Sequence, residues 1–256
     1  MDISLKEYES IEAMRVSEIV RLATKDINSI IAELNTPRET TEQMLLGTVF
    51  HSLILRKDRR YVPEDIVIIH SDNYRTKYAQ TEKDKALENG KIPILIRQWD
   101  KMLSGLKYAE KILDIYFDPN ICAFEQSFVG DDETFGKIKG RIDGIQNGCV
   151  NDLKYTSNQI NLDKKIFDMG YQLQMFIYMN LSNCKESNLV FFDPNTYLIQ
   201  VKHLKMESIK DECIGLLNRA KRNMDLVEKY KKGELGIVFE SDYATPQWAY
   251  TYLMEQ

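Results

Sequence analysis

The sequence has no run of 18 or more apolar residues, so no transmembrane helix is expected. Its first ten residues, MDISLKEYES, are charged from the outset and lack the apolar stretch of a secretory signal, which places the protein in the cytoplasm. No CxxC pair occurs. Cys122, Cys149, Cys184 and Cys213 are widely spaced, the pattern of reduced thiols packed as small apolar side chains, and a zinc or iron–sulfur site built from them is not expected. Internal repeats and low-complexity linkers are absent. So is a surplus of positive charge: the net charge is −5, which argues against nucleic-acid binding by the whole surface.

The composition that is present, 43% hydrophobic and 29% charged over 256 residues, suits one large domain that folds without disulfides or a structural metal. The charge balance also reverses locally. Lys137, Lys139, Arg141, Lys154, Lys164 and Lys165 face only Asp143, Asp152 and Asp163 across the same stretch. An acidic exterior with a positive channel is compatible with an enzyme that encloses its DNA.

The first third reads as helical. Ile19, Val20, Leu22, Ile27, Ile30, Ile31 and Leu34 recur at roughly helical spacing, and Pro37 interrupts the run. A second helix is expected from Thr41 to Leu55, capped by Thr40 or Thr41, with Gly47 and His51 on one face. Residues 57–80, with Pro63 and the basic cluster Lys57, Arg59 and Arg60, read as a long loop holding a short strand at Ile66–Ile69. A helix follows Pro93 and runs to about Tyr116. Three strands are then expected, Ala123–Val129, Gly136–Ile145 and Cys149–Tyr155, the last two joined by a tight Asn147-Gly148 turn. A helix over Leu162–Leu181, strands over Asn188–Phe192 and Thr196–Leu204, and a charged helix over Ser208–Lys231 complete the order. This alternation suggests a mixed α/β domain, a central sheet flanked by helices.

The informative residues are Asp143 in GRIDG and Asp152-Leu153-Lys154 in the following strand. Period-two geometry points Asp152 and Lys154 to one face and turns Leu153 into the core. The tight turn makes the strands neighbours, so Asp143 can lie beside Asp152. Two adjacent carboxylates repel unless a cation sits between them, and a divalent ion with oxygen ligands, most naturally Mg²⁺, would stabilise the pair. Such an ion polarises a phosphoryl oxygen and lowers the pKa of water, and Lys154 would stabilise the charge that develops. These are the parts that phosphodiester hydrolysis needs. An Asp-x-Lys on a strand is otherwise an ordinary solvated face. Arg75 and Lys77, in NYRTKYAQ, could bind a phosphate or belong to a plain polar loop.

Asp143 followed by Asp152-Leu153-Lys154 resembles the core of the PD-(D/E)xK nucleases. Further blocks, in the same order, resemble the RecE-type (exonuclease VIII) branch, related to the lambda-type phage exonucleases. These are Leu46–Leu55 (LGTVFHSLIL), Glu125 in FEQSF, and Tyr171–Tyr178 (YQLQMFIY). The resemblance implies a restriction-endonuclease-like core and one nuclease domain over 1–256: a mainly helical part (1–120), a catalytic core (121–205), and a C-terminal helix and tail (206–256). It implies that His51 and the Leu153 backbone carbonyl join Asp143 and Asp152 as metal ligands, and that Glu125 is a further metal or water ligand. Gln174 and Tyr178, four apart on one helical face, would lie beside the active site. Arg75, Lys77 and Thr156 would contact DNA, as would Gln172, which stands where the branch often has His.

The activity implied is a Mg²⁺-dependent double-strand DNA exonuclease, with Mn²⁺ as the alternative ion. It would digest the 5′-ended strand and leave 3′ overhangs. The partners implied are double-stranded DNA ends, further copies of the chain in a closed ring, and a single-strand annealing protein. Two other readings remain open: a DNA-end-binding module that keeps the fold without cleaving, and an iron–sulfur nuclease of the Cas4 or AddB kind, against which the dispersed cysteines argue.

Overall fold

The structure, a computed structural model, describes residues 5–36, 41–59, 62–156, 159–234, 236–240 and 250–254. Pro37, Thr40 and Arg60 lie outside them. Two short N-terminal elements, α1 (Leu5–Ser10) and β1 (Met14–Arg15), precede α2 (Val16–Thr24) and α3 (Ile27–Leu34). The apolar spacing from Ile19 to Leu34 is therefore split between two helices. Asp26 causes the break, its carboxylate accepting from Ser29 N–H as the N-cap of α3.

Helix α4 (Glu42–Ile54) starts where expected, with the Thr41 hydroxyl accepting from Met44 N–H. Next come β2 (Ile66–Ile69), α5 (Lys77–Glu88), β3 (Ile92–Leu95) and α6 (Ile96–Leu113). Strands β2 and β3 pair in parallel, joined by α5. The expected loop thus ends in a helix, and the segment around Pro93 is a strand before it is a helix. A two-stranded sheet has only edges, where a proline is tolerated.

The main sheet follows: β4 (Ala123–Asp132), β5 (Gly136–Gln146), β6 (Cys149–Tyr155), β7 (Glu186–Phe192) and β8 (Ile199–Lys205). It runs β1-β5-β6-β7-β8, with β4 also on β5, and mixes parallel pairs (β1–β5, β6–β7) with antiparallel ones. Between β6 and β7 the expected single helix is two, α7 (Leu162–Asp168) and α8 (Tyr171–Ser182), and α9 (Met206–Lys231) follows β8. An antiparallel pair, β9 (Gly236–Glu240) and β10 (Tyr250–Met254), was not anticipated.

Both faces of the sheet are covered. Val150, Leu189 and Phe191 pack with α2, α8 and α9, while Leu153, Val190 and Phe192 pack with α4 and α6. That is why β7 reads as an unbroken apolar run rather than an alternation. The result is a mixed sheet flanked by helices. Among the described residues no helix is long and apolar enough to cross a membrane.

Strand β5 positions the site. On one edge it pairs with β4 along nearly its whole length. On the other it pairs with β6 only at Gly144–Gln146, and with β1 only at Ile138 and Lys139. Residues 140–143 lie between those pairings. The turn closing β5 and β6 has positive φ at both Asn147 (52°) and Gly148 (74°), as the tight hairpin requires. Beyond Asn151 the two strands separate.

Candidate active site

The cluster forms at this separation. Ile142 and Ile145, three residues apart, both pack in the α2–α8–α9 core, whereas strict alternation would place them on opposite faces. The inversion falls at Asp143. Opposite it in register stands Glu125, whose φ is 49° and where the β4–β5 pairing skips a step. Freed from its place in the ladder, the Asp143 carboxylate takes the place of a strand partner: Oδ2 accepts from Leu153 N–H at 2.8 Å. The Leu153 carbonyl lies on the same side of β6 as that N–H and so faces the gap.

His51, on α4, reaches the same carboxylate, with Nδ1 3.5 Å from Asp143 Oδ2. On β6, Lys154 Nζ is 2.7 Å from Asp152 Oδ2, and the Asp152 side chain is only 3% exposed. The contact is a buried ion pair between the ammonium and the carboxylate. Lys154 Nζ also donates to Gln174 Oε1 at 3.0 Å, and Gln174 Nε2 donates to Tyr178 OH at 3.2 Å. Under the ammonium lies the Tyr171 ring, 4.3 Å from its centroid. Tyr178 in turn packs on Gly140, where an added Cβ would come within 2.7 Å of the ring, so a side chain there would displace the tyrosine. Exposure rises from Asp152 through Asp143 and Lys154 (18% each) to His51 (31%), so the cluster opens to solvent on its α4 side.

The two carboxylates titrate apart. Burial pushes Asp152 up to about 6, with Asp143's charge adding to the shift and Lys154 only partly offsetting it. Burial also disfavours the charged form of Asp143, but His51, Lys154 and the Leu153 N–H outweigh it and hold Asp143 below the usual carboxylate value. His51 and Lys154 are each raised: burial opposes their charge, and the facing carboxylate, Asp143 and Asp152 respectively, wins. A buried acid beside a second, ionised one suits a cation with oxygen ligands. Among the described residues no three His, Cys, Asp or Glu side chains gather closely enough to hold a metal by themselves. A metal fits this gap through two carboxylates and a backbone carbonyl. His51 stands beside the Asp143 carboxylate at the edge of this gap.

Other expected residues lie elsewhere. Glu125 is half-exposed and pairs with Arg141 at 3.1 Å. Gln172 points to the opposite side of α8, buried, donating to Glu212 on α9 at 2.9 Å, so it has no surface to offer a duplex. Thr156 is buried, its N–H bonded to Phe192 O at 2.9 Å and its hydroxyl held by Lys165. Both were expected to touch DNA, and in the structure burial withdraws them. Arg75 and Lys77 are exposed, just before and at the start of α5.

The basic stretch also fails to form a continuous track. Lys139 is buried and donates to the carbonyls of Tyr8 (2.9 Å) and Ile11 (2.8 Å), Arg141 faces Glu125, and Lys164 faces Asp168. The cysteines are free thiols, and Cys122, Cys184 and Cys213 are buried. Tyr171 was not singled out in the sequence, although its spacing from Gln174 and Tyr178 (i, i+3, i+7) puts it on their face of α8.

The described residues thus form a mixed sheet flanked by helices, with an acid pair and a lysine where two strands part. The chain belongs to the PD-(D/E)XK nuclease superfamily, whose pattern it matches over residues 26–207. Nucleases of this superfamily generally use divalent metal ions.

Among solved structures, the chain is similar to three proteins in particular. One is a phage-related exonuclease from Haemophilus somnus 129PT, at 13% identity and a TM-score of 0.39, covering 88% of this chain and 99% of that one. Another is the alkaline exonuclease LHK-Exo from Laribacter hongkongensis, at 12% identity and 0.34, covering 73% and 96%. The third is Rai1 from Scheffersomyces stipitis, at 14% identity and 0.34, covering 99% and 71%. Likenesses this distant say nothing of what this chain acts on. A comparison with curated protein sequences finds no match.

Proposed function

We propose that the chain is a DNA exonuclease that hydrolyses phosphodiester bonds with a divalent ion, Mg²⁺ or Mn²⁺. The observation that carries this reading is the Asp152 carboxylate, buried beside the ionised Asp143 where β5 and β6 part. Asp143, Asp152 and the Leu153 carbonyl would hold the ion. When bound, such an ion polarises the phosphoryl oxygen and lowers the pKa of water.

The protein's own groups do the rest. Asp152, Gln174 and the Tyr171 ring fix the Lys154 ammonium where negative charge develops on the phosphorus oxygens, and a charge held ready in a largely buried site costs little reorganisation when the reaction occurs. His51 and Leu153 N–H fix the rotamer of Asp143. Tyr178, seated on Gly140, fixes Gln174.

The resemblance of the Leu46–Leu55 and Tyr171–Tyr178 blocks to RecE-type nucleases supports the finer assignment. On that assignment the enzyme digests the 5′-ended strand of linear duplex DNA and leaves a 3′ overhang. It works in the cytoplasm as a ring of identical copies, alongside a single-strand annealing protein.

The test compares linear with closed circular duplex, each with Mg²⁺, with Mn²⁺ and with EDTA. Release of nucleotides from linear DNA alone is the expected result. Cleavage of the circle makes the enzyme an endonuclease, and binding of ends without cleavage by any ion makes it an end-binding module.

A further inference from the structure

Helix α4 presents His51 to the carboxylate cluster, and one to two turns earlier Gln43 and Leu46 wall a second feature. This is an open cavity of about 550 Å³, lined also by Arg97, Gln98 and Lys101 of α6, by Tyr155, and by Pro194 and Asn195 of the turn after β7. The volume falls within the range of about 300–1,000 Å³ typical of ligand sites. The two places are joined by α4 and by the end of β6. Tyr155 directly follows Lys154, and its ring packs on Phe50 at 5.1 Å, next to His51.

The lining is polar, and among the described residues its only charges are positive. Arg97 is exposed, with no hydrogen bond or ion pair among the described residues. Lys101 donates to Asn195 Oδ1 at 2.7 Å, a neutral partner that leaves its charge uncompensated. Among the described residues no carboxylate lines the cavity. Asp193 adjoins it, but its Oδ1 accepts from Asn195 N–H at 2.8 Å and holds the turn. Glu42 is turned to Gln98 and lines a neighbouring, smaller cavity of about 120 Å³. In a chain of net charge −5, two adjacent cations without acidic partners mark a place for an anion.

We propose that this cavity holds the backbone of a single DNA strand on its way to or from the Asp143–Asp152–Lys154 centre, with Arg97 and Lys101 each neutralising one phosphate. The proposal rests on the nuclease reading for its ligand, and its site lies outside the residues assigned to the chemistry. Arg97 and Lys101 are positioning residues. Contacts of this kind set strand register without reading sequence. They also leave a thermodynamic mark, because each neutralised phosphate releases counterions and adds about 0.7 to the salt slope of single-strand binding.

The experiment uses the full chain with the Arg97→Gln/Lys101→Gln pair of substitutions. Both side chains are exposed, so the fold should tolerate them, and circular dichroism checks it. Binding of a single-stranded oligodeoxynucleotide is measured in EDTA across a salt series, which requires no cleavage. The expected result is an affinity lower by on the order of tenfold at low salt and a slope smaller by about 1.4. Arg97→Lys should keep most of the slope, since the charge remains.

Hydrolysis of bis(p-nitrophenyl) phosphate, which needs only the catalytic centre, should proceed at the wild-type rate while KM for DNA rises. An unchanged affinity and salt slope overturn the proposal even if the wild type cleaves DNA. Failure of the wild type to hydrolyse either substrate, with the slope still reduced in the variant, overturns the nuclease reading and leaves the strand site standing. Equal loss on the small substrate and on DNA shows a structural effect and also overturns the proposal.

Discussion

The β5–β6 pair is closed at one end and open at the other. At the closed end, Gly144–Gln146 and Cys149–Asn151 bond backbone to backbone, and the buried side chains serve the fold. Gln146 bonds Asp118 N–H and Ile115 O, both at 2.9 Å, and Asn151 donates to Tyr116 O at 3.0 Å, so the end of α6 is fastened to the strands. At the open end the ladder stops, and side chains take over the backbone's partners: Asp143 accepts the Leu153 N–H, and Asp152, Lys154 and Gln174 hold one another. The same two strands thus supply a rigid hinge of polar groups with internal partners and, three residues away, a cluster whose charges are incompletely matched. Stability should reside at the first end and chemistry at the second.

The largest test of that contrast is at the open end. Asp152→Asn should lower nuclease activity by about a thousandfold, roughly 4 kcal/mol of transition-state stabilisation, while the metal-free protein melts no lower than wild type. Activity assays alongside calorimetry check both halves. Next is a comparison across α8. Gln174→Leu should cost about 10- to 100-fold in kcat by releasing Lys154, whereas Gln172→Leu should leave kcat within about twofold, since that side chain faces Glu212.

At the closed end the pattern should reverse. Gln146→Ala removes the partner of two part-buried backbone groups and should destabilise by about 1–2 kcal/mol, read by urea denaturation, with activity per folded molecule unchanged.

The smallest effect is a pH dependence. Asp152 binds its proton more tightly in the folded state (about 6) than unfolded (3.8), so its contribution to stability is present below about pH 4 and lost as pH rises through 6. His51, raised above 6.5, contributes below that value and loses its contribution as pH rises through its folded pKa. Asp143, lowered, acts in the opposite sense, losing its contribution only in acid. The melting temperature of metal-free protein should therefore fall on the order of 3–6 °C between about pH 5 and pH 8. A divalent ion, or Asp152→Asn, should flatten the slope.

Much of this was legible in the sequence because period two and a two-residue turn leave little freedom. Asn147-Gly148 dictates the hairpin, and the hairpin puts Asp143 near Asp152. What was not legible depends on long-range packing. Helix α5 buries only Ala79 and Ala86, so its sequence shows no apolar stripe. The two glutamines of α8 look alike in the chain, and only the positions of β6 and α9 send Gln174 to the site and Gln172 into the core. Lys139 counted as surface charge until the carbonyls at the end of α1 closed around it. The inversion at Asp143, which gives the carboxylate its partners, has no local signature at all.

The central claim is that the open end of β5–β6 is a metal-dependent nuclease centre. Its most direct test is release of nucleotides from linear duplex DNA by wild type and Asp152→Asn, with Mg²⁺, Mn²⁺ or EDTA. The account predicts release by wild type with a divalent ion, none in EDTA, and none by the variant. Release in EDTA, or equal release by the variant, would contradict it.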